Sequence, residues 1–413
     1  MDNNSSRRQL KKLWDVLEVI RNWKSCNQNK EKIWEKITRI ETIADGSINP
    51  ERVGYFLLSD DDKIKFSIKE GDILFSHINS PVHIWKVAIS TKNYDDLFHG
   101  MNLLLLRGNK KLLDPFFLFN LLNWFFVRWD WELMCKKAIN QASLNQKNIL
   151  EKIIPLPPLE EQKKIVAYLD ELNATISKLK SEYQSQLAML DEMRNSSLDL
   201  AFWGSRERER ERAYNLNNWK WVKLGEIAKT QSGGTPSRSN PLYRWEGIVR
   251  LKSWELEDNN CITKYTETIT LLGLENSSAK KFTKGTLLLA MYGATAWKLG
   301  ILWIDAATNQ AVCAIQNTQN KFVEKYIYYF LLKERDKIIR DSFWWAQPNI
   351  SKTYIDNIEL PLPDLETQSQ IVSHLDLVHQ QITTLKAQVS EQIEHCDQLW
   401  QSSLEKVLTQ GVE

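Results

Sequence analysis

The stretch "NPLY" at 240–243 sets an amide, a proline and an aromatic in an order that can hold an adenine flipped out of a duplex. "DPFF" at 114–117 is a weaker version of the same order. Chemistry on such a base would also need a glycine-rich cofactor loop after an early strand. The one glycine pair, Gly233-Gly234 in "SGGTPSRS", lacks G-x-G spacing, and no helix pattern follows it. The phosphate cradle GxxxxGK[ST] is absent from the sequence. His77 and His83 stand alone, while His374, His379 and His395 fall in a long helical pattern, where a solvated face is expected. The reading is therefore no catalytic residue, no metal site and no cofactor.

Composition narrows the class. With 413 residues the chain is long enough for two or more domains, and 43% hydrophobic content is enough for real cores. The formal net charge is only +2, so any nucleic-acid surface must come from local segregation of charge. Cys26, Cys135, Cys261, Cys313 and Cys396 are scattered with no C-x-x-C spacing, which argues against a zinc ribbon or a disulfide scaffold and fits a reducing cytoplasm. "MDNNSSRRQLKK" lacks the apolar core of a signal peptide. "FFLFNLLNWFFV" at 116–127 is too short to span a bilayer and reads as a buried helix, so no membrane partner is expected.

The elements that must position any site are stated twice. "IPLPPLEEQKKIVAYLD" at 154–170 returns as "LPLPDLETQSQIVSHLD" at 360–376, an offset of 206. Pro155, Leu156, Pro157, Leu159, Glu160, Gln162, Ile165, Val166, Leu169 and Asp170 each find the same residue at that offset, so the chain is an internal duplication. Each copy opens a helix. Pro158 suits the first turn, and Glu160 and Glu161 suit the positive end of the dipole. Apolar residues then step by four and three: Ile165, Leu169, Leu172, Ile176, Leu179, Tyr183, Leu190 and Met193, and Ile371, Leu375, Val378, Ile382, Leu385, Val389, Cys396 and Leu399. This is a coiled-coil seam, with Gln186 and Gln392 as its polar positions. No proline or glycine interrupts 159–203 or 364–409, so each helix can run on the order of 60 Å. Two such helices in one chain most simply pair antiparallel, relating the halves by a pseudo-twofold axis.

The expected order is a globular segment at 1–153, a first spacer helix at 154–204, a charged linker at 205–217 within "SRERERERAYNLNNW", a second globular segment at 218–359 and a second spacer helix at 360–413. Both globular segments mix short strands and helices, giving an α/β (α+β) class. "GDILFSHI" (71–78) matches "GTLLLAMY" (285–292), and "WKVAIS" (85–90) matches "WKLGIL" (297–302). The helix patterns "DPFFLFNLLN" (114–123) and "EKYIYYFLLK" (324–333) follow. Pattern is shared but identity is low, which suggests two related jobs on different targets.

Taken together, "PLPPLEEQKKIVAYLDEL", "GGTPSRSNPLY", "LKSWELEDN", "YGATAWKLGI", "DAATNQAVCAI" and "QPNISK" resemble the specificity subunit of a type I restriction-modification enzyme, in the family's order and across nearly the whole chain. The resemblance implies two target-recognition domains separated by two long helices forming an antiparallel coiled coil. Each domain would read one half of a split target in double-stranded DNA. The helices would set the gap and dock methyltransferase (modification) subunits, with restriction/translocase subunits joining through the complex. The chain itself would perform no chemistry. Under this reading the residue types suited to base edges and phosphates are Lys36, Arg39, His77, Asn79, Lys86 and Gln141 in the first domain. In the second they are Thr235, Ser237, Arg238, Lys252, Ser253, Tyr292, Lys298 and Gln347. Each lies in or beside a polar loop after a strand-like run, where a turn cap or ordinary loop residue is the plain alternative. Two rival classes are an adenine methyltransferase, on the likeness of "NPLY" to the NPPY loop of amino-methyltransferases, and a coiled-coil scaffold without sequence-specific binding.

The sequence departs from the family's pattern in one patterned way. Trp85, Trp254, Trp297, Trp344 and Trp345 stand where the family usually has glycine. Trp14 in "KLWDV" aligns with Gly225 in "KLGEI", while Arg250 stands where the family usually has tryptophan and Arg244 is a similar case. Glycine is 15 and tryptophan 17 of 413 residues, together close to the ordinary glycine share of about 7%. A gene from a lineage that reads UGA as glycine and certain CGN arginine codons as tryptophan, translated with UGA as tryptophan and CGN as arginine, gives this pattern. True substitution is the alternative. Peptide masses from the native source at these positions separate the two.

Overall fold

The computed structural model describes residues 9–23, 34–44, 46–79, 86–127, 135–138, 141–144, 146–202, 219–262, 264–292, 296–343 and 350–412. Two compact units divide it. One comprises Met1–Tyr183 with Ser390–Glu413, the other Gln184–Val389.

In the first unit a four-stranded antiparallel sheet runs in the order Leu17–Asn22, Leu103–Gly108, Ile73–Ser76, Val87–Ile89. The two inner strands, "LLLLRG" and "ILFS", are apolar on both faces, as burial from both sides requires. A smaller sheet sets Glu35–Thr38 between Val53–Phe56 (antiparallel) and Leu97–Phe98 (parallel). Helix Pro115–Val127 packs on the large sheet, its Phe117, Leu118, Leu121 and Leu122 joining Ile73, Phe75 and Leu104 in one core.

The second unit repeats this plan. Its larger sheet contains Lys229–Ser232, Val312–Gln316, Leu287–Ala290 and Leu299–Leu302 in that order, with Asn259–Ile262 added at the edge. Its smaller sheet sets Arg244–Leu251 between Glu267–Ile269 (antiparallel) and Ala306–Thr308 (parallel). Helix Glu324–Phe343 covers the core. Gly71 and Gly285 enter the equivalent inner strands, both at φ +87°, a left-handed turn that glycine makes without steric cost.

The two long helices are Leu159–Phe202 and Leu365–Gln410, each unbroken and each shared by halves between the units. In the first unit Ile165 and Leu169 share a core with Leu404, Val407 and Leu408. In the second, Leu198, Ala201 and Phe202 share one with Ile371, Val372 and Leu375. The start of each helix thus lies with the end of the other, and the pair is antiparallel. Lys180–Asp397 and Lys386–Asp191 bridge the helices at positions related by the 206-residue offset. Partly exposed pairs of this kind contribute about 0.2–1 kcal/mol each and serve mainly to favour one register.

Local detail differs from the sequence reading in several places. The segment assigned to the start of the first spacer is partly strand: Ile153–Leu156 pairs with Gln9–Lys12, and Glu359–Leu362 likewise pairs with Lys220–Lys223. Of the expected seam, Ile165, Leu169, Ile176, Ile371, Leu375 and Ile382 are buried, while Leu172, Leu179, Tyr183, Val378 and Val389 are half-buried. Leu385 is a correction: it is 45% exposed, and Lys386 takes the half-buried position. Gln186 and Gln392 are exposed and their places fall to Leu187 and Ile393, while Met193 and Leu399 also face outward. A straight helix turns once per 3.6 residues, so a seam laid out at 3.5 drifts off by about 20° per heptad. The linker 205–217 lies outside the described residues.

Of the six tryptophans in glycine-like positions, Trp85, Trp344 and Trp345 also lie outside them. Trp297 sits at φ +72°, 2% exposed, its indole N–H without an acceptor. Among the described residues the other non-glycine positions with positive φ are Asn102, Asp258 and Asn320, types that tolerate this region. For tryptophan the conformation costs about 1–2 kcal/mol. Trp14 and Trp254 carry no such strain and are 60% and 53% exposed. At the equivalent of Trp14, a Cβ on Gly225 would stand 2.9 Å from Asp356 Cβ, so glycine there lets helix Leu224–Ile227 touch helix Lys352–Asp356. In the first unit Trp14 instead lines a groove of about 550 Å³ with Lys12, Gln146, Lys147 and Glu151.

Candidate nucleic-acid interface

In the second unit the candidate surface is organised by one carboxylate. Strand register sets Arg250 opposite Glu267. Glu267 Oε2 accepts from Arg250 Nη1 at 3.0 Å and lies 3.0 Å from Lys252 Nζ, while Oε1 lies 3.7 Å from Arg244 Nη1. Glu267 and Arg250 are 6% and 2% exposed. Burial by itself pushes the Glu267 carboxyl up, but Lys252, Arg250 and Arg244 outweigh it and hold it below the usual carboxylate range. Burial is also the largest influence on Arg250 and lowers its pKa.

Arg250 extends this network outward. Its Nη2 donates to Thr235 Oγ1 at 2.5 Å, and Thr235 Oγ1 donates to Gln310 Oε1 at 2.5 Å. The loop bearing Thr235, Ser237 and Arg238 reaches this point through a narrow gap. A Cβ on Gly233 would lie 2.2 Å from Thr308 O, and one on Gly234 would lie 2.3 Å from Ser278 O. The glycine pair is thus a close-packing device. Beyond it Ser237 bonds Ser239 at 2.8 Å and Arg238 is exposed. Lys252 also lies over the Trp254 ring at 5.6 Å, and Ser253 starts the short helix Ser253–Glu255.

Other expected residues are placed differently. Lys298 is turned toward Asp258 at 3.5 Å, a carboxylate that also holds Arg335 and accepts from the Leu299 N–H. Tyr292 is half-buried, and burial raises its hydroxyl pKa. Gln347 lies outside the described residues. "NPLY" is a turn: Asn240 Oδ1 accepts from the Leu242 N–H at 3.1 Å, and Thr270 Oγ1 donates to Leu242 O at 2.8 Å.

In the first unit the equivalent strand leads into a short helix capped by Arg39, as Lys252 caps the one after Arg250, so Ile37 stands where Arg250 does and faces Gly54 instead of a carboxylate. Lys36 pairs with Asp96 at 2.9 Å in the open. Arg39 lies 3.5 Å from Glu41, and Lys86 donates to Ala44 O at 2.6 Å. His77 is corrected as an exposed reader. It is 4% exposed, and burial lowers its pKa to about 4. Asn79 and Gln141 belong to strands Ile78–Asn79 and Gln141–Leu144, with side chains outside the described set. His379, expected on a solvated face, is also corrected. It packs edge-on to Tyr329 at 5.0 Å, and burial lowers its pKa to about 4.

No local signal in the sequence marks Glu267, Gln310, Arg244 or Arg250 as a site, and Arg250 and Arg244 stand out only as departures from a family pattern. Pairing between strands seventeen residues apart depends on register, which no local pattern gives. Among the described residues, no group of three or more His, Cys, Asp or Glu could hold a metal ion, and no helix is long and apolar enough to cross a membrane.

The type I restriction modification DNA specificity domain matches this chain twice, over residues 8–187 and 217–395. The chain belongs to that family. It is 33% identical over 397 residues to a chain named as the MjaX type I restriction enzyme specificity subunit of Methanocaldococcus jannaschii, covering 94% of this chain and 90% of that one. It is 23% identical over 290 residues to the EcoBI specificity subunit of Escherichia coli, covering 65% and 60% of the two chains. In fold it is similar to a chain solved in a study of type I R-M complex assembly, with a TM-score of 0.76, 20% identity and 97% coverage of both. The HsdS subunit from Thermoanaerobacter tengcongensis matches with a TM-score of 0.57, 19% identity and coverage of 97% and 96%. Specificity subunits are DNA-recognition components rather than catalysts, so membership favours the recognition reading over the methyltransferase and scaffold alternatives.

Proposed function

We propose that this chain reads DNA for a type I restriction-modification complex, with modules 1–153 and 218–359 each recognising one half of a split target. The observation that carries this is duplication of the frame without duplication of the polar surface. Both modules share one plan of a larger and a smaller sheet, yet Arg250 faces Glu267 where Ile37 faces Gly54. The paired helices act as a spacer between half-sites and as the dock for modification subunits, through which translocase subunits join in the cytoplasm. Two readers on one spacer bind cooperatively only when the half-sites are correctly separated. In the second module, Lys252, Arg244, Arg238, Thr235 and Ser237 supply the DNA contacts, with Glu267 and Arg250 holding them in place. In the first, Lys36, Arg39, Lys86, Asn79 and Gln141 do so.

The test is methylation mapping in cells that express the chain with its modification subunits. A split asymmetric motif with one fixed gap is expected. Active methylation without such a motif ends the proposal.

A further inference from the structure

Each long helix is tied to its module by a buried glutamine, and the second also by Asp376, which accepts from Tyr329 Oη at 2.7 Å and Lys325 Nζ at 2.6 Å. Gln162 is 0% exposed. Its Oε1 accepts from the Asp114 N–H at 2.8 Å, and its Nε2 donates to Leu112 O at 2.9 Å and Pro157 O at 2.8 Å. Asp114 and Leu112 lie just ahead of the module's helix Pro115–Val127, and Pro157 lies just ahead of the long helix. Gln368, also 0% exposed, repeats the arrangement in the second unit. Its Oε1 accepts from the Val323 N–H at 2.8 Å, and its Nε2 donates to Pro363 O at 2.8 Å and Lys321 O at 3.4 Å. Val323 and Lys321 precede the helix Glu324–Phe343.

The geometry goes beyond ordinary capping. One planar amide ties three backbone groups from two segments, so a change in angle between module and long helix must break at least one bond. Broken bonds here are not replaced by water, because the side chain is fully buried, and each orphaned group costs about 1–3 kcal/mol. A hydrophobic contact alone would tolerate small rotations, since burial is not directional. We infer that Gln162 and Gln368 are positioning residues for spacing specificity: they lock the angle of each module on its helix and so convert a fixed helix length into a fixed gap on DNA. This rests on the proposed reading of a two-part target.

The test uses the full chain with its modification subunits in cells carrying a plasmid library. In the library, the two half-sites found by methylation mapping are separated by gaps of varied length. Gln162→Met and Gln368→Met keep the side-chain length and remove all three bonds. Each is expected to raise methylation at gaps one base pair from the native one, relative to the native gap, by about tenfold, the equivalent of one lost interaction of about 1.4 kcal/mol. The half-site sequences should not change, and the Asp114 or Val323 amide should lose hydrogen-exchange protection in the matching variant. A merely structural role would lower total methylation without moving the gap ratio. Folded Met variants whose gap ratio stays within twofold of the parent overturn the inference. If they do not fold, Gln162→Glu and Gln368→Glu, which keep the acceptor and leave at most one donor for two carbonyls, decide on the same ratio. If neither pair folds, the glutamines serve the fold alone and the inference is wrong. A parent chain that gives no split motif refutes the proposed function instead.

Discussion

The two modules solve the same folding problem with different buried polar chemistry. The second buries an arginine and satisfies it: Arg250 meets Glu267, Thr235 and the carbonyl of Gly234. The first sets Ile37 against Gly54 at that place, keeps Lys36 at the surface with Asp96, and buries imidazoles instead. His99 is 0% exposed, and His77 is 4% exposed with its Nδ1 without a hydrogen-bond partner. The lesson is that backbone pairing and apolar faces carry the shared frame, while the residues facing each other across the small sheet are free to differ.

The largest effect expected from breaking that contrast is at Glu267. Glu267→Ala leaves Arg250 buried without its counter-charge, a loss of about 3–5 kcal/mol. Asp96→Ala removes an acid whose side chain is 72% exposed and should cost about 0–1 kcal/mol. Urea unfolding of the two variants, followed by hydrogen exchange in each unit, measures both. Equal losses would mean the modules are not built differently.

Acid should separate the units next. Burial holds His77 at about 4 and His99 at about 3, both below the ordinary histidine value. The unfolded chain therefore takes up protons first. Stability begins to fall as pH drops below about 6.5, by up to about 1.4 kcal/mol per pH unit for each histidine, and the loss levels off below the folded pKa. With two such histidines against His379 alone, the first unit should lose protection more steeply between pH 6 and 4. His77→Phe with His99→Phe should flatten its slope, and an unchanged slope would show that these histidines are not buried.

The smallest contrast lies at the strand-to-helix corner. Gly225→Trp forces a side chain between two touching helices and should cost roughly 1–3 kcal/mol, as overpacking does. Trp14→Gly removes a side chain that is 60% exposed, so the stability of its unit should change by less than about 1 kcal/mol. Thermal unfolding of both variants reads this. A large loss from Trp14→Gly would show that this tryptophan is a built part of its corner and would count against glycine as the native residue.

Much of the frame was legible in the sequence because it depends on local spacing. Repetition of "PLP.LE.Q" marked the duplication, and the step of three and four marked both helices. Period alone misplaces part of the seam: Leu385 and Gln186 fall inward on a 3.5-residue step, and the packed helices drift past them. The candidate site was less legible. His77 looks like a loop residue until the strand Ile73–Ser76 carries it into the interior. Glu267 looks like an ordinary surface acid until the register brings three cations to it.

The sequence alone determined that there are two modules, two long helices and one repeat. Apolar period, proline placement and repetition are properties of neighbouring residues, and they act before any long-range contact forms. Tertiary structure alone decided which polar groups meet. A buried glutamine or glutamate takes its role from groups brought into hydrogen-bond or ion-pair reach by strand register and helix packing, and those distances are written nowhere in the order of residues around it.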